Sequence, residues 1–306
     1  MSAHAKHRKT RSAERSGGIL EAAPLEDGTS PTPGKSVRDL FDLSGRTAII
    51  SGGSVGLGRQ MAEALAEMGA NLVLCARKKD RCVQAAEELQ KLGVKTLARA
   101  CDVKNPAEVH AVVEATLSTF GRIDVLINNA GTSWGAPIEE MRLEHWNKVI
   151  ETNLTGTFLF CQAVGKTMIA QRRGKIINIA SVAGLAGSPP QFQAIGYHAS
   201  KGGIIILTKD LACKWGMHNI QVNAIAPGWF PTNMSQVLIE RNREAFLSRI
   251  PLNRFGSDHD LKGAAVFLAS DASNFRHRPR PGSGRRPIGL IRTWPQSSNN
   301  GTKPAA

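Results

Sequence analysis

Thr47-Ala48-Ile49-Ile50-Ser51-Gly52-Gly53-Ser54-Val55-Gly56-Leu57-Gly58 is the stretch that decides how this chain folds. The first four residues read as a short buried strand and the glycines as a tight turn. Met61, Ala64, Leu65 and Met68 then recur at the i, i+3, i+4, i+7 spacing of one helix face. Glycines let backbone N–H groups approach a ligand closely, and a helix N-terminus favours negative charge, so a strand, glycine turn and helix in this order suit the pyrophosphate of a dinucleotide. The spacing G-x-x-x-G-x-G differs from the commoner G-x-G-x-x-G, and on the motif alone a plain strand-to-helix turn is the alternative.

Outward from the turn the same alternation continues. Leu72–Leu74, Val94–Ala100 and Ile123–Ile127 read as strands two to four, and Val109, Val112, Val113, Leu117 and Phe120 mark the helix before the fourth. A long helical stretch from about Leu143 to Ala170 leads to strand five, Lys175–Ala180, and a helix from about Tyr197 to Trp215 precedes strand six, Ile220–Ile225, which ends at Pro227-Gly228. Asn233–Leu247 and Leu261–Ala269 have helical period. The pattern predicts an α/β fold, a Rossmann-type doubly wound parallel sheet in a single domain over residues 45–275. A seventh strand should close it, and the sequence shows none. Residues 1–44, with Gly17, Gly18, Pro24, Gly28, Pro31, Pro33 and Gly34 among small polar residues, read as a disordered leader or linker.

The 306 residues carry a net charge of +14, with 42% hydrophobic residues and 30 Gly, a globular composition without the roughly 18 consecutive apolar residues of a membrane span. The charge is unevenly placed. Residues 1–16 carry a net +4 and residues 275–306 a net +7, which leaves +3 for the segment with the fold pattern. Basic residues at the two ends alone do not make a nucleic-acid-binding face, so no nucleic-acid partner is expected. The five scattered cysteines form no C-x-x-C pair and no metal-ligand spacing with His, which points to reduced thiols, a cytoplasmic location and no bound metal. The basic N-terminus lacks the apolar core of a secretion signal; a transit peptide is the alternative there.

At the tip of strand two, Cys75-Ala76-Arg77-Lys78 offers no acid to accept the ribose 2′-hydroxyl of NAD, and Arg77 suits the 2′-phosphate of NADP. NADP(H) is therefore the expected cofactor, with NAD(H) possible; a solvated helix start is the plainer reading of Arg77 and Lys78. The only tyrosine, Tyr197, stands four residues before Lys201 and so shares a helix face with it. A phenol titrates near pH 10, and a neighbouring ammonium brings it closer to the range useful for proton transfer. Ser181 after strand five, Asp102 after strand three and Asn128-Asn129-Ala130-Gly131 after strand four all fall at carboxyl ends of strands, where an open α/β sheet forms its ligand crevice. Asn153 lies in the preceding helical stretch. Each of these residues alone is as readily a turn cap.

In order and spacing, residues 45–274 resemble the short-chain dehydrogenase/reductase family. Its T-G-x-x-x-G-x-G turn is similar to Ser51–Gly58, with Ser for Thr, and its N-N-A-G matches Asn128–Gly131. The resemblance implies Tyr197 as general acid/base, Lys201 on the nicotinamide ribose, Ser181 orienting the substrate oxygen and Asn153 holding a relay water. It further implies that Gly52, Ser54, Val55, Gly56, Leu57 and Gly58 cradle the cofactor. Asp102 and Val103 would contact adenine, and Asn129, Ala130 and Gly131 would line the path to the nicotinamide. Beyond Pro227 and Gly228, the backbone at Phe230 and the hydroxyl of Thr232 would hold the carboxamide. The Ser181 to Tyr197 separation is sixteen residues, longer than usual for the family, and its extra loop, Gly187–Gln193, should overhang the pocket. Trp134, Trp229 and Phe230 would line that pocket, or else serve as lid or interface packing. The nearest branches are gluconate 5-dehydrogenase-like and 3-oxoacyl-acyl-carrier-protein reductase-like, which implies a small hydroxy or keto sugar acid or a 3-oxoacyl thioester as substrate and a homotetramer or homodimer as assembly.

After Phe275 the resemblance stops, in a tail rich in Arg and Pro. Dropping one nucleotide after the Phe275 codon lets the codons of the following residues read V-T-G-H-V-L-A-V-D-G-G-Q-S-A and then a stop within the Leu290 codon, which is the family's ending. Residues 276–306 are thus expected to be an out-of-frame, disordered basic tail that leaves strand six as an open edge; a disordered basic tail evolved in this chain is the alternative. A catalytically poor, cofactor-binding protein is the alternative function this implies.

Overall fold

The computed structural model describes residues 34–274 and the backbone of residues 290–292. The chain divides after Lys35 into two units, and the fold belongs to the one that begins at Ser36. Its elements in order are α1 (Val37–Phe41), β1 (Thr47–Ser51), α2 (Gly56–Glu67), β2 (Asn71–Ala76), α3 (Lys79–Gln90), β3 (Thr96–Ala100), α4 (Pro106–Phe120), β4 (Val125–Asn128), α5 (Leu143–Ile150), α6 (Gly156–Gln171), β5 (Gly174–Ile179), α7 (Ile195–Trp215), β6 (Ile220–Ala226), α8 (Gln236–Arg241), α9 (Arg243–Leu247), α10 (Lys262–Ala269) and β7 (Leu290–Arg292).

The sheet is parallel throughout, in the order β3-β2-β1-β4-β5-β6-β7. Strand order reverses between β1 and β4, so the connections leave in opposite directions there and a crevice opens at the carboxyl ends of these two strands. Successive side chains on a strand point to opposite faces. Ile50, Leu72 and Leu74 accordingly join the layer under α2, α3 and α10, while Ile49 and Val73 join the layer under α4 and α6. Both faces being covered explains why the strands read as continuous apolar runs.

Several expectations change. The helical stretch from Leu143 to Ala170 is not one regular helix: a π-turn at Glu151–Thr155 separates α5 from α6 and carries Asn153. Apolar spacing passes through one widened turn almost unaltered, which hides it in the sequence. Asn233–Leu247 is two short helices that part at Asn242, whose side-chain amide donates to Leu238 O at 3.0 Å. The packed structure starts before residue 45. Ser36 and Asp39 form a reciprocal capping box on α1, Phe41 packs against Phe267 with ring centroids 6.4 Å apart, and Leu43 is fully buried. The rest of the predicted leader, residues 1–33, lies outside the described residues. Ala224–Ala226 of β6 pair in parallel with Leu290–Arg292. Unpaired N–H and C=O groups on a sheet edge accept any extended partner, even one without a strand-like sequence around it. Residues 275–289 and 293–306 lie outside the described residues.

At the amino edge of the sheet, Asp271 receives Arg46 and Arg173, each at 2.9 Å, and Lys175 Nζ donates to Ser273 Oγ at 3.0 Å. These contacts tie the segment after α10 to the starts of β1 and β5.

Candidate active site

The crevice is built on a turn that only glycine tolerates. Gly52 has φ +65°, in the left-handed region, and a Cβ on Gly58 would stand 2.2 Å from Gly52 O. The neighbouring loop braces the turn. Ser51 Oγ accepts from the backbone N–H of Asn129 (3.1 Å) and Ala130 (3.2 Å), and Asn129 Nδ2 donates to Gly52 O at 3.0 Å. Ser51 has the hydroxyl for which the family uses Thr. Asn128, its neighbour in sequence, points the other way and donates to Asn178 Oδ1 at 2.9 Å inside the sheet. Ser54, Val55, Gly56 and Leu57 form the turn into α2, and the Val55 side chain has no oxygen to compete for the first N–H groups of that helix. A close-packed backbone cradle facing a helix N-terminus fits a pyrophosphate.

Arg77, at the tip of β2, is exposed and borders a cleft of about 410 Å³ together with Lys104, Thr132, Lys148 and Glu151. Asp102, after β3, accepts the Lys104 backbone N–H at 3.1 Å. Val103 packs where Gly156 has no side chain: a Cβ there would lie 2.6 Å from Val103 Cγ2.

Ser181 follows β5 directly, Tyr197 lies in the first turn of α7, and Lys201 stands one turn further along. Lys201 Nζ lies 5.5 Å from the Tyr197 ring centroid while donating to Ile179 O at 2.6 Å. Burial pushes the Tyr197 phenol above its ordinary value, and the neighbouring Ser181 hydroxyl works against that rise. Burial also lowers the Lys201 ammonium to about 8. The two groups are brought together as the i, i+4 spacing predicts, and desolvation, which raises the phenol, is the largest influence on Tyr197 in this structure.

Asn153 is wholly buried, with its amide engaged on both sides. Oδ1 accepts Thr132 N–H at 2.8 Å, and Nδ2 donates to Thr132 O at 2.9 Å and Ser200 Oγ at 3.0 Å. Ser200 in turn donates to Tyr197 O at 2.8 Å. Asn153 therefore fixes the loop after β4 against α7, with Gly131 beside it. Thr132 and Ser200, which the sequence analysis did not single out, complete this brace; no local pattern marks them, because their partners are distant in the chain.

Pro227 O accepts Val182 N–H at 3.1 Å, holding the turn after β6, with Gly228, against the segment that follows Ser181. Phe230 is buried and its carbonyl accepts the Ser235 hydroxyl, which also accepts Thr232 N–H at 3.0 Å. Two aromatic residues expected in the pocket are engaged with their surroundings: Trp134 stacks on His145 at 3.7 Å, and Trp229 on Phe246 at 4.1 Å. Among the described residues there is no group of His, Cys, Asp or Glu that could hold a metal ion, and no helix long and apolar enough to cross a membrane.

A glycine-turn crevice at the strand-order reversal, with Ser181 and Lys201 buried and Tyr197 half-buried beside it, is the arrangement of an oxidoreductase of the doubly wound α/β class. The chain belongs to the short-chain dehydrogenase family, whose family model matches residues 46–243; the family binds NAD or NADP and acts on small molecules. It is 39% identical over 243 residues to 5-keto-D-gluconate 5-reductase of Escherichia coli K12, covering 78% of this chain and 94% of that protein. To 3-oxoacyl-[acyl-carrier-protein] reductase FabG of Staphylococcus aureus Mu50 it is 38% identical over 231 residues, covering 75% and 93% respectively. A crystal structure of a gluconate 5-dehydrogenase from Burkholderia cenocepacia J2315, in complex with NADP and tartrate, matches with a TM-score of 0.74 and 36% identity over 78% of this chain and 93% of that one.

Proposed function

We propose that this chain is an NADP(H)-preferring oxidoreductase that interconverts a secondary alcohol and a ketone on a compact hydroxy or keto sugar acid, in the manner of a gluconate 5-dehydrogenase. The observation that carries the reading is Tyr197 one helical turn before buried Lys201, whose Nζ lies 5.5 Å from the Tyr197 ring centroid, with buried Ser181 directly after β5 at the carboxyl edge of the sheet. When bound, the nicotinamide supplies or accepts the hydride. In reduction Tyr197 gives its phenolic proton to the developing alkoxide and takes it back in oxidation, while the Ser181 hydroxyl hydrogen-bonds the same oxygen. The Lys201 ammonium stabilises the transient phenolate. Gly52, Ser54 to Gly58 and Asn129 to Gly131 hold the dinucleotide, with Asp102 and Val103 at its adenine end and Pro227, Gly228, Phe230 and Thr232 at its carboxamide end.

Arg77 and Lys104 on one cleft support the preference for a 2′-phosphate. Exposed Phe158 on α6 and Ile206 on α7 support a homo-oligomer. The free, mostly buried cysteines support a cytoplasmic setting. Residues 276–306 are, in the same reading, an out-of-frame translation, which the nucleotide sequence across the Phe275 codon tests.

The FabG similarity makes 3-oxoacyl thioesters the second substrate class. Steady-state assays with NADPH and NADH on 5-keto-gluconate and on acetoacetyl thioester decide between them. Tyr197→Phe should lower kcat by roughly 10²- to 10⁴-fold, the usual worth of a positioned acid/base. Turnover undiminished in that variant, or turnover of neither substrate by the parent protein, overturns the reading.

A further inference from the structure

Three aromatic rings from three separate segments meet. Phe192 belongs to the long loop that joins Ser181 to Tyr197, Trp229 follows the Pro227-Gly228 turn after β6, and Phe246 is on α9. Trp229 and Phe246 stack with centroids 4.1 Å apart and planes at 15°. Phe192 closes the group at 5.1 Å from Phe246 and 6.1 Å from Trp229, and the Arg249 guanidinium lies 6.0 Å from the Phe192 ring.

The anchoring is uneven. Phe246 is 1% exposed although α9 has only five residues, while Val237 and Leu238 on neighbouring α8 are 57% and 41% exposed. On its other side the long loop is held by Ala136 N–H donating to Gln193 O at 2.8 Å. Contacts thus join the loop after β4, the loop between Ser181 and Tyr197 and α9 into one layer, a roof whose link to α9 includes the rings of Phe192 and Phe246. Its polar contacts within the loop, such as Ser188 Oγ donating to Phe192 O at 3.2 Å, shape the loop without tying it to α9.

We propose that Phe192, Trp229 and Phe246 form a latch that fastens α8 and α9 to the loop between Ser181 and Tyr197, and that the latched roof determines substrate size: a compact polar ketone is enclosed and a long acyl chain is shut out. This rests on the Ser181–Tyr197 reading of the active site. Aromatic pairs of this kind bias an open–closed equilibrium by roughly 2- to 10-fold each, so losing the two pairs of Phe192 loosens the roof by roughly 4- to 100-fold.

The test compares the full chain with Phe192→Ala, which removes two of the three pairs at a half-buried loop position, and Phe192→Tyr, which keeps the ring. Expected for Phe192→Ala are a KM for 5-keto-gluconate raised about 10-fold with kcat nearly unchanged, turnover of a long-chain 3-oxoacyl thioester increased at least several-fold, and both effects reversed in Phe192→Tyr. Limited trypsinolysis reads the latch without activity: cleavage at Arg241, Arg243 and Arg249 should be faster by about the same factor in Phe192→Ala. Unchanged trypsin cleavage with an unchanged melting temperature refutes the latch. A parallel change in kcat/KM for the compact and the long substrate refutes its role in size selection. If the parent protein turns over neither substrate, the functional reading fails while the trypsin result still judges the latch.

Discussion

Lys201 shows how much one burial event changes a side chain. It is 4% exposed, and desolvation holds its ammonium at about 8. An unfolded lysine titrates near 10.4, so between about pH 8 and 10 the unfolded chain keeps a proton that folded Lys201 has released, and unfolding becomes harder as pH rises through that window. The urea midpoint of the parent protein should therefore increase from pH 8 to 10, and Lys201→Met, which has nothing to titrate there, should lack that increment; equal slopes in the two proteins would contradict the assignment. Above pH 10 the raised pKa of Tyr197 acts in the opposite sense, because the folded phenol keeps a proton that the unfolded one has lost. The identities of Tyr197, Lys201 and Ser181 were legible in the sequence, from an i, i+4 spacing and a position after a strand. The direction of the Tyr197 shift was not, since it depends on how much protein surrounds the ring.

At the scale of elements, the turn from β1 into α2 was legible because its requirement is local. Only glycine accepts φ +65° at Gly52 without strain, and only glycine leaves room at Gly58 for a carbonyl 2.2 Å from where a Cβ would be. Gly58→Ala should push the turn off its brace at Asn129 and weaken NADP(H) binding at least about 10-fold by fluorescence titration, from the loss of close backbone approach to the pyrophosphate. Undisturbed binding would show that the turn is not the cradle. The π-turn at Glu151–Thr155 was not legible, and neither was the role of Asn153 on it. One extra residue in a turn leaves the apolar stripe nearly intact, and what recommends the distortion is the reach of Asn153 to Thr132 and Ser200, both far along the chain. The capping box that starts α1 was present in the sequence as Ser36 and Asp39 but was masked by the Gly- and Pro-rich residues before it.

Across the whole molecule, function and stability occupy opposite edges of the sheet. The carboxyl edge holds the crevice, and the amino edge holds Asp271 between Arg46 and Arg173. Asp271 is 8% exposed, and removing its charge leaves the Arg46 guanidinium without that partner in a poorly solvated place, while Arg173 stays hydrated. Asp271→Asn should cost about 3 kcal/mol in urea unfolding and leave the KM for NADP(H) unchanged, as expected when one member of a buried ion pair is lost far from the crevice; a stability within 0.5 kcal/mol of the parent, on the order of a surface substitution, would contradict that. By itself the sequence determined the alternation of strands and helices, the parallel doubly wound sheet and the placing of Ser181, Tyr197 and Lys201 as neighbours at its carboxyl edge. Apolar periodicity, glycine turns and short motifs act over a few residues and survive in one dimension. Only the tertiary structure decided which side chains are desolvated, which polar groups brace the site from a distance, that Phe192, Trp229 and Phe246 meet, and that three residues near the C-terminus pair with β6. Each of these depends on segments far apart in the chain being packed against one another, and that packing sets the local dielectric and the available hydrogen-bond partners.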